Sequence, residues 1–82
     1  MPRYYFDTDD GRRKSHDDQG LEYAHEAEAR DAAIRALPDM AKDALPGADR
    51  ETFSVSVRDD GGRYVLHASL VLVAHRLEGF EQ

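Results

Sequence analysis

The chain has 82 residues, of which 34% are charged and 40% hydrophobic, with a formal net charge of −6 and no Cys or Trp. That length makes one domain with a thin core and leaves little room for a deep enclosed pocket. The missing cysteines exclude disulfides, thiolate nucleophiles and zinc sites built on thiolate.

The acidic balance disfavours broad nucleic-acid binding, which needs a basic surface. Residues 1–23, 24–50 and 51–82 are each net −2, so no basic arm hides inside the total. The first ten residues hold no apolar signal segment, and the run Leu70 to Ala74 is too short to span a bilayer. The expectation is a soluble cytoplasmic protein without a membrane partner.

Residues 3–8 are aromatic-rich and predict a strand. Asp9-Asp10-Gly11 is hairpin-turn chemistry, and residues 12–16 (Arg-Arg-Lys-Ser-His) read as the return strand. That segment has nothing apolar to bury, which suits a sheet edge. Asp17 to Gly20 form a turn, with Gly20 suited to a left-handed position. Leu21-Glu22-Tyr23 lead into a helix.

From Ala24 to Leu45, the positions Ala27, Ile34, Leu37, Ala41 and Leu45 follow helical spacing, with Ala33, Met40 and Ala44 beside them. Pro38 predicts a kink or a restart within this helix. Pro46-Gly47 ends it. Residues 51–58 alternate, with Phe53, Val55 and Val57 on one face and Thr52, Ser54 and Ser56 on the other.

A loop of even length at Asp59 to Gly62 places Tyr64, Leu66, Ala68, Leu70 and Leu72 on the core face. Val65, His67, Ser69, Val71, Val73 and His75 then face away from the core. The last strand runs from about Arg63 to His75. Its apolar character on both faces favours a neighbour on each side, within the sheet or across a dimer. The strand order stays open between hairpins that meet through their first and last strands and a sheet with the last strand central. The order β-β-α-β-β predicts an α+β domain spanning 1–82, with a four-stranded, mainly antiparallel sheet and one long Pro-kinked helix across it.

Four stretches together resemble a family of short bacterial proteins of unknown function. They are Pro2-Arg3-Tyr4-Tyr5-Phe6, then Asp10-Gly11 with Asp17 to Gly20 and Glu22, then Ala36 to Ala41 with Leu45-Pro46, and finally Phe53-x-Val55-x-Val57-Arg58-Asp59 with Gly62-Arg63. The chain departs from the pattern at Asp7, where the family often has His, and at Ala24-His25, where it often has Pro-Asp. The resemblance implies the fold and a single-domain bacterial protein. It implies no activity, cofactor or site.

No candidate site rises above its structural alternative. Asp7-x-Asp9-Asp10-Gly11 lacks the later residues of a calcium loop, since Arg12 and Asp18 stand where Gly and Glu are required. His16, Asp17, Asp18 and His25 gather near one turn without the spacing of a metal site. His67 faces Ser54 or Ser56 across the last hairpin, with no orienting acid in view. Arg12-Arg13-Lys14 is the densest basic run, but five aspartates flank it.

The surplus apolar residues are more informative. Val65, Val71 and Val73 form a candidate interface on the face opposite the core. The sequence therefore predicts a non-enzymatic protein–protein interaction or regulatory module, with no cofactor, no metal and no catalytic residues. Its expected partners are a second copy of itself or another protein. The alternative is a nucleic-acid accessory protein that uses Arg12 to Lys14.

Overall fold

The structure, a computed structural model, describes residues 1–80 of the chain. The elements run β1 (Arg3–Asp9), β2 (Lys14–Ser15), β3 (Leu21–Glu22), α1 (Glu26–Ala44), β4 (Arg50–Arg58) and β5 (Tyr64–Val73), followed by a 3₁₀ turn at Leu77–Phe80. All strand pairs are antiparallel and make one sheet, with α1 across one face. The class is α+β, as expected. The sheet has five strands instead of four, because the chain returns to β1 a second time, pairing Arg3 with Glu22 and Tyr4 with Leu21.

The strand order is β2-β1-β4-β5, with β3 joined to β1 on the same side as β2. The two hairpins thus meet through β1 and β4. Of the expected return strand over residues 12–16 only Lys14–Ser15 form an edge strand, because Arg12 lies in the turn, and β5 is the opposite edge, with a neighbour on one side only among the described residues. Within the described residues the chain itself thus supplies one of the two neighbours expected for the last strand.

The first hairpin turns on Gly11 and Arg12, closed by the Asp10 N–H to the Arg13 carbonyl at 3.2 Å. Gly11 has φ +90°, the left-handed value that this two-residue turn needs at its first central residue. The second hairpin has an odd loop. The Asp59 N–H donates to the Arg63 carbonyl at 2.9 Å, the Gly62 N–H donates to the Asp59 carbonyl at 3.0 Å, and Gly62 has φ +83°. These are the marks of a three-residue loop that ends in a left-handed glycine.

An odd loop would invert the face of every later side chain, but a bulge undoes the inversion. Arg58 pairs with Tyr64, whereas Val57 pairs with Leu66, so Val65 is the extra residue. Leu66, Ala68, Leu70 and Leu72 consequently share a face with Phe53, Val55 and Val57, as expected. Two residues do not follow the expected pattern. Tyr64 pairs with Arg58 and turns to the open face, while Val65 turns inward and packs against the core. Val65, expected on the face of Val71 and Val73, thus lies on the core side instead.

Helix α1 begins after His25, whose N–H donates to the Glu28 carboxylate at 3.1 Å. Glu26 and Glu28 in the first turn complement the helix dipole. Pro38 lies inside one continuous helix, with no restart. The carbonyl of Ile34 loses its usual partner there, at a stretch of the helix where both residues are exposed.

The buried rail is Ala29, Ala33, Leu37 and Ala41, at successive four-residue steps. Compared with the expected stripe, Ala27 is exposed and Ile34 is 39% exposed. Alanine lets the helix sit close to a sheet already filled by Phe53, Val55 and Val57. Each of those three is almost fully buried, a gain of about 1.5–3 kcal/mol apiece. Tyr4 completes the core, and Tyr23 packs edge-on to Phe6 at a 6.1 Å centroid distance.

Candidate functional site

The sheet face opposite α1 carries a polar cluster centred on Asp7. Alternation along β1 points Tyr5, Asp7 and Asp9 to this face, and β4 brings Ser54, Ser56 and Arg58 beside them. Arg58 grips Asp7 with two bonds, Nε to Oδ2 and Nη2 to Oδ1, both 2.9 Å. The Tyr64 hydroxyl donates to Oδ2 at 2.9 Å, and the Asp17 N–H donates to Oδ1 at 3.0 Å. His16 Nδ1 lies 3.4 Å from Oδ1. The guanidinium of Arg58 also sits over the Tyr5 ring, 5.1 Å from its centroid.

This crowd of donors acts on the charge of Asp7. The Arg58 hydrogen bond overcomes the opposing effect of burial, and together with the bonds from Asp17 and Tyr64 it holds the carboxyl at about 2. The same contact raises the Arg58 guanidinium, and the bond to Asp7 raises the Tyr64 phenol.

Asp17 closes the edge beside this pair. Between β2 and β3 the chain leaves the ladder, and the Phe6 N–H would otherwise lack an acceptor. Asp17 Oδ2 takes it at 3.0 Å, and Oδ1 accepts the N–H groups of Gln19 and Gly20 at 3.0 Å each. The Asp17 carbonyl accepts Arg58 Nη2 at 2.7 Å. Burial pushes the Asp17 carboxyl up, but the N–H groups of Gly20, Phe6 and Gln19 outweigh it and hold the group below its usual range. Gly20, at φ +68°, lets the chain pass the Tyr4 carbonyl, where a Cβ would come within 2.8 Å.

These contacts also resolve the sequence-derived candidates. His16 reaches Asp7, Asp17 spends its oxygens on backbone N–H groups, and His25 stands at the helix start, so the four residues do not converge. Among the described residues, no group of three or more His, Cys, Asp or Glu could hold a metal ion. Asp9 and Asp10 bond the N–H groups of Gly11, Arg12 and Arg13, which is turn chemistry.

Arg12 bonds the buried Glu51 at 3.2 Å, so the basic run gives up one of its charges to the fold. Glu51 also accepts the Ala48 N–H at 2.8 Å, and a Cβ at Gly47 would collide with its carboxylate.

His67 pairs with Ser56 across the last hairpin, Nδ1 to Oγ at 2.8 Å. Its Nε2 faces Ser69 Oγ at 3.4 Å, a hydroxyl where an orienting carboxylate would stand in a triad. A shallow groove of about 450 Å³ runs over Asp7, Ser54, Ser56, Tyr64, His16 and His67. It offers hydroxyl and imidazole hydrogen bonding, while its most buried carboxylate is already neutralised by Arg58.

The far half of β5 presents a different surface. Leu70 is 40% exposed, Val71 49% and Val73 45%, on a strand of ten residues with no charged side chain and, among the described residues, no further strand beyond it in the sheet. Sequence periodicity found Val71 and Val73. It missed the Asp7–Arg58 pair, whose members lie 51 positions apart.

No helix among the described residues is long and apolar enough to cross a membrane. No curated protein and no solved structure matches the chain. The family described as Domain of unknown function (DUF6894) matches residues 3–71, and the chain belongs to that family.

Proposed function

We propose that this chain is a small, non-enzymatic protein–protein interaction module, and that β5 is its contact surface. The observation that carries the reading is the exposure of Leu70, Val71 and Val73 together on an uncharged edge strand. Soluble proteins usually blunt such edges with charge, proline or short length, and β5 has none of these across Tyr64–Val73. The polar groove does not favour chemistry, because its Ser56–His67 pair lacks an acid partner and its Asp7 is held by Arg58. A nucleic-acid surface is not favoured either, since Arg12 is engaged by Glu51 and acidic residues flank the run.

Native mass spectrometry of the protein captured gently from its own lysate tests this reading. Species heavier than 9.2 kDa by whole protein chains, lost in a folded Val71→Asp, Val73→Lys double variant, are the expected result. A retained metal or small molecule, with no change of assembly in the double variant, would overturn it.

A further inference from the structure

We infer that the free edge of β5 receives a second copy of this chain, antiparallel, about a two-fold axis at Leu70, so that two sheets continue as one. This rests on the interaction reading above and specifies its partner and geometry.

The phase of the β4–β5 ladder sets which backbone groups are free. The Ala74 N–H donates to the Asp49 carbonyl at 2.7 Å. Hydrogen-bonded and non-bonded pairs alternate along an antiparallel ladder. With Leu72 opposite Glu51 and Leu70 opposite Phe53, the even-numbered residues Leu66 to Leu72 turn their N–H and C=O groups towards β4. His67, Ser69, Val71 and Val73 therefore direct theirs at the free edge.

Leu70 is the centre of that set. An antiparallel copy placed there bonds His67 to Val73 of the second copy and Ser69 to Val71 of the second copy, and the reverse. In this register every outward group among the four meets another member of the set. A two-fold one residue earlier would set Val73 against the bulge at Val65. A two-fold one residue later would set His67 opposite His75, beyond the end of the strand.

Side chains favour the same partner. Each chain is net −6, yet no charged residue lies between Tyr64 and Val73, so two copies meet there without like charges opposed. Edge addition covers Leu70 and Leu72 on one face and Val71 and Val73 on the other at once. Packing face to face would cover only the valines.

The test combines solution mass with a register-specific cross-link. The protein has no cysteine, so Leu70→Cys introduces a single thiol. Across a two-fold at this non-bonded position the Cα atoms lie about 4.5 Å apart, within disulfide range. Wild type at twice 9.2 kDa, rapid oxidative dimerisation of Leu70→Cys, slow dimerisation of Val73→Cys, and a monomeric Ser69→Pro support the inference. Proline at Ser69 removes an outward N–H and leaves the bonds to β4 intact. Should Ser69→Pro fail to fold, the two cysteine variants decide alone.

A dimer in which Val73→Cys cross-links as fast as Leu70→Cys overturns the edge geometry and leaves the interaction reading standing. A wild-type monomer that binds a different protein through β5 overturns the second copy only. A monomer at every concentration, unaffected by Val71→Asp and Val73→Lys and holding a small molecule, overturns both.

Discussion

The two edges of one sheet are finished in opposite ways. On the β1 side, two strands of two residues each cover the edge, and the gap between them is plugged by a carboxylate. Asp17 takes the Phe6 N–H, Arg58 ties Asp17 to Asp7, and Tyr64 braces the pair from the far hairpin. On the β5 side there is a ten-residue strand with no charge and no proline, and no further strand covers it among the described residues. A protein that spends so many polar contacts on closing one edge has the means to close the other. An open apolar strand is a template for pairing, and the proposed contact uses that property.

The comparison sharpens into a double dissociation. Substitutions at the closed edge should cost stability and leave assembly alone, and those at the open edge should do the reverse. The largest effect belongs to Asp7→Ala, which leaves the Arg58 guanidinium in place without its counter-charge. The expected loss is about 3 kcal/mol, read as a lower urea midpoint at unchanged slope.

Acid should reproduce part of that loss in the native protein. The folded value of Asp7, about 2, lies below its ordinary 3.8. The stabilisation is therefore complete above about pH 4 and fades as the pH falls from there towards 2, by about 2 kcal/mol in total. Urea titrations between pH 5 and 2 should show that component in wild type and lose it in the Asp7→Ala variant.

A smaller effect tests the hinge between the edges. Gly62→Ala places a Cβ on a residue at φ +83°, which should cost about 1 kcal/mol in thermal or urea unfolding. The smallest expected change is at the open edge. Val71→Asp with Val73→Lys should shift the stability of the isolated chain by roughly 0.5 kcal/mol or less, while changing its mass in solution.

Local patterns carried much of this fold. Aromatic residues in β1, the alternation of β4 and the polar run of residues 12–16 each have a direct physical reading; β1 and β4 formed where that reading put them, and of residues 12–16 only Lys14–Ser15 did. The helix also formed, and its buried rail kept the expected Ala33, Leu37 and Ala41 but took Ala29 in place of Ala27 and Ile34. Small alanines on two neighbouring faces leave the choice to packing against Phe53 and Val55.

Parity around the second hairpin was half legible. A three-residue loop plus one bulged residue gives the same facing for Leu66 onward as an even loop. Alternation is therefore blind to the difference, and only Tyr64 and Val65 reveal it. β3 was missed because Leu21 and Glu22 pair for two residues only. The Asp7 cluster was invisible for another reason: Asp7, Asp17, Arg58 and Tyr64 come from four separate segments, joined only once the strand order is known.

Residue-resolved amide hydrogen exchange, run at low and high protein concentration, tests the contrast between the edges most directly. The Phe6 N–H, bonded to Asp17, should be protected at both concentrations. The N–H groups of Ser69 and Val71, with no acceptor in their own sheet, should exchange fast when dilute and slowly when concentrated. Fast exchange of Ser69 and Val71 at every concentration, in the presence of the native lysate as well as in its absence, would contradict the account.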